Sequence, residues 1–166
     1  MPLLKSLSSQ SISHITTFVE QNLSNTAWSS SSLRFFHKPL LDAISASSIP
    51  RLHAFDTQDL ANTPWAFATC GVADGPLLNA LAAESLRKLS EASPQGRSNT
   101  AWAVAVLSVV HSPLLPAIAS AAIRNLEEWM AQELVNLAWA LSPLELRDST
   151  LLESIAAAAL ARRSDL

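Results

Sequence analysis

The chain has few of the residues on which small-molecule chemistry depends. Its 166 residues include three glycines, one cysteine and no tyrosine. The sequence therefore holds no Gly-rich phosphate loop and no Cys/His cluster, and the single thiol, Cys70, excludes an internal disulfide framework. His14 and His53 accompany no acid or nucleophile pattern. From these absences we predict no enzyme activity, no cofactor and no metal site.

Charge is also scarce, and it is not basic. Charged residues make up 15% of the chain and the formal net charge is −3, which supplies no general attraction to phosphate. No apolar run reaches the roughly 18 residues that a membrane span requires, so no membrane partner is expected. Hydrophobic residues nevertheless make up 49% of the chain, enough for a continuous core in an ordered, mostly helical protein.

Three residue types recur with a fixed interval of 37 residues. The tryptophans are Trp28, Trp65, Trp102 and Trp139. The asparagines three places before them are Asn25, Asn62, Asn99 and Asn136. The glutamines seven places before them are Gln21, Gln58, Gln95 and Gln132. A fixed period in this range is the signature of a repeat array.

Each unit reads as a hairpin of two helices. Apolar residues follow a helical period from Thr57 to Cys70, a break follows from Gly71 to Gly75, and Pro76 opens a second helix. Stacked hairpins predict an all-α fold, a right-handed α-solenoid of about 4.5 units. The predicted boundaries are a second helix at 1–17, followed by four repeats at 18–54, 55–91, 92–128 and 129–166.

The tryptophan column predicts the structural anchors of the array. If each indole is buried between units, its truncation to alanine costs about 3–5 kcal/mol. Cys70 aligns with leucines and is expected to be a small buried residue. Pro64 replaces the alanine of the other units within the first helix and is expected to bend it.

The repeat resembles a known family. Gln58 to Ala68, echoed by Asn99-Thr-Ala-Trp-Ala and Asn136-Leu-Ala-Trp-Ala, is similar to the first helix of octotricopeptide and heptatricopeptide repeat proteins and of FAST-kinase-like, RAP-associated organellar proteins. The resemblance covers the entire chain. It implies a protein of mitochondria or chloroplasts that binds single-stranded RNA, acts in gene expression through transcript stability, processing, editing or translation, and joins other proteins in a ribonucleoprotein complex.

One stripe on each first helix is the candidate RNA-binding surface, because its members lie at offsets 0, 3, 4 and 7. The candidates are Asn22, Asn25, Thr26, Asp59, Asn62, Thr63, Gly96, Asn99, Thr100, Glu133 and Asn136. The first position of the stripe differs between units, as is required of a side chain that recognises a different base in each unit. Any solvent-exposed position varies between repeats in the same way. The asparagines have an alternative role, in which their amides bond the backbone of the next unit and hold the stacking register.

Two further alternatives remain open at this level. Basic residues cluster at the ends of second helices, where they either complement helix dipoles or form a basic edge for RNA. The acidic balance is compatible with a protein–protein interaction scaffold built on the same solenoid. A widest groove lined with leucine and alanine favours the scaffold, whereas one lined with asparagine and threonine favours RNA.

Overall fold

The computed structural model describes residues 2–108 and 113–142, together with the isolated residues 153, 156 and 157. In these residues the chain forms eight α-helices and three short 3-10 helices, and it contains no strand. The all-α prediction is confirmed for this part of the chain.

The α-helices alternate between two positions of a hairpin. First helices are α2 (Glu20–Ser32), α4 (Thr57–Thr69), α6 (Pro94–Val106) and α8 (Ala131–Leu141). Second helices are α1 (Pro2–Ser13), α3 (Lys38–Ser48), α5 (Gly75–Arg87) and α7 (Leu114–Arg124). Each first helix starts 37 residues after the previous one. The most extensive contacts run between successive first helices, from α2 to α4, α4 to α6 and α6 to α8.

The interior consists of leucine, isoleucine and alanine supplied by both helices of each hairpin. One cluster joins α2 to α5 and includes Leu23, Ile44 and Phe67. A second cluster joins α5 to α8 and includes Ile118 and Trp129. The apolar residues are shared between adjacent hairpins, so each hairpin completes the core of its neighbour.

The expectation that the four periodic tryptophans form this interior is wrong. Trp28 and Trp139 are 45% and 48% exposed, and Trp65 and Trp102 are half-buried. Each indole lies five residues after the core-facing position of its helix, occupied by Leu23 in α2. At 3.6 residues per turn, five residues rotate a side chain about 140° away from the core.

A different column supplies the buried aromatic residues. Phe55 is fully buried immediately before the N-cap of α4, and Trp129, the tryptophan outside the 37-residue series, occupies the same place before α8 with 1% exposure. Phe55 shares a cluster with Leu60, and Trp129 shares one with Leu134. This pairing of the residue before the N-cap with the fourth helical residue is a hydrophobic staple.

The third hairpin departs from this staple. Ala92 stands at the aromatic position and Arg97 at the leucine position. Arg97 is nonetheless buried, and its guanidinium donates to the carbonyl of Leu89 at 3.1 Å and to that of Ser90 at 3.5 Å. The long arginine thus stands where the other hairpins have leucine, and it binds the turn that follows α5.

Each described turn after a first helix uses a left-handed residue. Arg34, Gly71 and Ser108 have φ values of 51°, 67° and 52° and lie 37 residues apart. At the first two turns, paired backbone bonds from this residue and the next one form the Schellman arrangement. Glycine adopts this conformation without the steric cost that a Cβ brings.

Two residues of α4 and its C-cap, Pro64 and Cys70, carried expectations from the sequence. Pro64 is buried inside a helix that continues unbroken to Thr69, although the carbonyl of Leu60 necessarily lacks its usual amide donor. Cys70 is half-buried at the C-cap rather than fully enclosed. Burial raises the pKa of its thiol.

The two classes of tryptophan yield opposite stability predictions. Trp129→Ala removes a fully buried ring and is expected to lower the free energy of unfolding by about 3–5 kcal/mol. Trp28→Ala removes a ring that is already half exposed, so a loss of about 1–2 kcal/mol is expected. Urea unfolding followed by circular dichroism measures both; equal losses would contradict the assignment of the interior.

The left-handed turns allow a gain of stability. Arg34→Gly is expected to raise the free energy of unfolding by about 1 kcal/mol, because the native φ is retained and the Cβ strain is removed. Gly71→Ala, at the equivalent position, is the matched control and is expected to lower it by a similar amount. The urea midpoints of the two variants should therefore move in opposite directions.

Candidate nucleic-acid interface

The solvent face of every first helix carries the same three side chains. Glutamine, asparagine and tryptophan lie at offsets 0, 4 and 7, which places them on one side of a helix. The four glutamines are exposed, Asn25 is exposed, and the other three asparagines are half-buried. We call these residues the Gln–Asn–Trp face; its members are Gln21, Asn25, Trp28, Gln58, Asn62, Trp65, Gln95, Asn99, Trp102, Gln132, Asn136 and Trp139.

The amides of this face are largely unused within the protein. The side chains of Asn25, Asn62 and Asn99 form no hydrogen bond to any residue that the structure describes. Asn136 accepts only from Gln132 of the same helix, at 2.9 Å. Asn25, Asn62 and Asn99 therefore do not make the bond considered for them, from the side-chain amide to the backbone of the neighbouring unit. Their donors and acceptors are available to a ligand.

A long open groove crosses this face. It has a volume of about 810 Å³ and spans α2, α4 and α6. Its lining comprises Asn25, Trp28, Thr57, Gln58, Ala61, Asn62, Trp65, Ser93, Gln95, Gly96 and Asn99. This lining carries no charged side chain, and it combines indole rings with amide and hydroxyl groups.

The predicted variable position of the stripe lies outside this face in three of the four units, and only its member Gly96 lines the groove. It is the third residue of each first helix, where Asn22, Asp59 and Glu133 accept from the backbone N–H of Val19, Asp56 and Met130. Gly96, the fourth member, has no side chain, and its N–H donates to Ser93 Oγ at 3.1 Å. These positions cap helix N-termini. The predicted stripe is consequently not one exposed surface.

Asp59 is the most enclosed polar member of that column. It is 5% exposed, and its Oδ1 accepts from Ser24 Oγ of the preceding first helix at 2.6 Å. Burial raises the pKa of Asp59, an effect that the Ser24 hydrogen bond partly opposes. The carboxyl group joins two neighbouring hairpins and is not presented to solvent.

The threonine column is likewise turned toward neighbouring helices. Thr63 and Thr100 are buried, and Thr26 is half-buried. Thr100 Oγ1 donates to the carbonyl of Gly96 at 2.8 Å. Of the predicted site residues, Asn25, Asn62, Asn99 and Asn136 therefore belong to the Gln–Asn–Trp face, and Gly96 lines its groove. Asn22 is exposed at the edge of a more apolar groove near α1, which Asn25 and Thr26 also line.

Most basic residues within the described ranges make contacts inside the fold. Arg51 donates to the carbonyl of Phe18 at 2.7 Å, and Lys88, one period later, donates to that of Phe55 at 2.6 Å. Both bonds tie the end of a second helix to the start of its own hairpin. Arg87 pairs with Glu84, and burial lowers the pKa of Arg97. Arg87, Arg97 and Arg124 line a common pocket on the side of the second helices.

The turns before the second helices have capping roles. His37 Nδ1 accepts from the N–H of Leu40 at 3.3 Å, and Asp74 Oδ1 accepts from that of Leu77 at 3.1 Å. His111 and Asp148, which follow Asp74 at further intervals of 37 residues, lie outside the described residues. Within the described ranges, no three histidine, cysteine or acidic residues form a group able to hold a metal ion.

No described helix has both the length and the apolar character needed to cross a bilayer.

The predicted RNA-binding stripe omits the glutamines, although the sequence carries a signal for them. Its periodicity was as strict as that of the tryptophans, and its spacing of four from asparagine placed both on one helical side. What the sequence could not show was that this side faces solvent, because the indole at offset 7 indicated a buried surface.

The chain matches no protein-family model and no curated protein.

The raised pKa of Asp59 predicts a pH dependence of stability. When the folded pKa exceeds that of the unfolded chain, the folded state retains a proton that the unfolded state releases. The free energy of unfolding should therefore rise as pH falls through the folded pKa, a gain that is complete below the ordinary value of 3.8.

Asp59→Asn removes this titration and serves as the reference. Thermal melts of both proteins from neutral to acid pH should show the wild type gaining stability relative to the variant on acidification. A difference that is constant with pH, or one of opposite slope, would contradict the burial of this carboxyl group.

Proposed function

We propose that this chain is an RNA-binding helical-repeat protein of the octotricopeptide or heptatricopeptide type, and that single-stranded RNA lies across the Gln–Asn–Trp face. The observation that carries the proposal is the repeated row of half-exposed indoles and unbonded amides along one groove. Single-stranded RNA is recognised by stacking on aromatic rings and by hydrogen bonds to base edges.

The architecture that we propose is a right-handed α-solenoid with a 37-residue period. Supporting it are the spacing of the first helices, the recurrent left-handed turns, and the matching bonds of Arg51 and Lys88. In such an array, equivalent side chains line up from one hairpin to the next. The Gln–Asn–Trp face would then be a continuous track for an extended strand.

Binding through this face is directed mainly at bases. The lining of the groove is uncharged, and the net charge of −3 gives no long-range attraction to phosphates. Affinity should therefore depend on stacking, worth about 1–3 kcal/mol per base, more than on counterion release. In the setting that the family resemblance implies, the protein acts on transcripts of mitochondria or chloroplasts.

A protein–protein interaction scaffold is the second candidate. Exposed tryptophans are enriched at the energetic centres of protein interfaces, and the acidic balance is compatible with a basic protein partner. The amide-lined groove favours RNA over this candidate, because amides without protein partners match the polar edges of bases.

The double variant Gln58→Ala/Asn62→Ala tests the proposal. Removal of two amides from the middle of the groove should weaken RNA binding about 5- to 30-fold, which corresponds to roughly 1–2 kcal/mol for two hydrogen-bonding groups. Fluorescence anisotropy with labelled single-stranded RNA measures the change.

Asn79→Ala is the matched control, since Asn79 is an exposed asparagine on α5 outside the groove lining. Its RNA affinity and the urea midpoints of both variants should equal those of the wild type. Equal RNA affinity of the double variant and the control would refute the assignment of this face.

A further inference from the structure

The Gln–Asn–Trp face does not vary between units. All four first helices present glutamine, asparagine and tryptophan at the same three positions. A helical-repeat protein that reads a mixed sequence must present different side chains to different bases. The variable column that the sequence pointed to, at the third helical residue, is used for helix capping in three of the four units. The face therefore offers each successive base the same chemistry.

The chemistry of the groove favours adenine. A side-chain amide forms a bidentate pair with adenine through N6 and N7, whereas guanine is characteristically contacted by arginine or lysine. No cationic side chain lines the groove, and its amide donors and acceptors are free. A purine also presents a larger surface than a pyrimidine to an indole, which strengthens stacking.

Two consecutive indoles of this face lie close enough to interact as an aromatic pair. The ring centroids of Trp102 and Trp139 are 6.4 Å apart, with an angle of 39° between their planes. Centroid separations of about 4.5–7 Å are those of directly contacting aromatic rings. Bases are therefore expected to stack on the open faces of the indoles.

We propose that the Gln–Asn–Trp face binds a run of adenines in single-stranded RNA, with the same stacking and amide contacts repeated at each unit. The proposal rests on the proposed RNA-binding function and specifies its substrate class.

The test compares RNA strands of about 12 nucleotides, within the usual site size of a single-strand binder. An oligo(A) strand, an oligo(U) strand, an oligo(C) strand and a mixed-sequence strand are titrated against the full chain by fluorescence anisotropy at one salt concentration. Oligo(A) should bind at least about tenfold tighter than each of the others, since one bidentate contact alone is worth about 1–3 kcal/mol of discrimination.

Position dependence provides a second measurement. Cytosine placed singly at each central position of oligo(A) should weaken binding by a similar factor everywhere, because the units are alike. Asn99→Ala should reduce the preference for oligo(A) over oligo(C), and Asn79→Ala should leave that preference unchanged.

The outcomes separate the two proposals. Equal binding of all strands, with affinity still lost in Gln58→Ala/Asn62→Ala, would overturn the adenine assignment and keep the RNA-binding function. Tighter binding of the mixed strand, or strong discrimination at only one position, would likewise overturn it. Failure of every strand to bind would overturn both.

Discussion

The fold depends on the close approach of successive first helices, which small side chains make possible. Ser24 and Ala27 of α2, Ala66 of α4 and Ala101 of α6 are buried in this layer. A Cβ added to Gly96 would lie 3.6 Å from the Cβ of Ala61, which shows how near α6 comes to α4. Side chains larger than these would separate the helices and open the cores on either side.

This close packing also explains why the tryptophans are exposed. A first helix packs one side against the core and two further sides against the neighbouring first helices. Only one narrow side remains for bulky residues. The indoles occupy that side together with amides that need no internal partner. The same constraint that brings the first helices together thus produces a repeated surface of flat rings and hydrogen-bonding groups, which is the property on which the functional proposal depends.

Several polar groups inside the fold join helices or bind the backbone near their ends. Asp59 connects α4 to Ser24 of α2, and Arg97 and Lys88 bind backbone carbonyls at the ends of second helices or the turns beside them. Their burial or bonding removes them from solvent and from any phosphate. The charges of this part of the chain therefore serve its stability more than its recognition of ligands, and recognition is left to neutral groups.

The sequence by itself determined the helical class, the hairpin unit and the interval between equivalent residues, because helical periodicity and turn residues are local properties that repeat four times. Tertiary structure alone decided which helical side meets the next hairpin. The strict recurrence of tryptophan indicated burial, since a large apolar ring usually lies in a core. Small residues beside it, such as Ala27 and Ala101, form the contact between neighbouring first helices instead. The indole therefore faces outward. The roles of Asp59 and Arg97 were hidden for the same reason, because a capping bond and an inserted guanidinium depend on how near neighbouring segments lie, and that distance is set by packing.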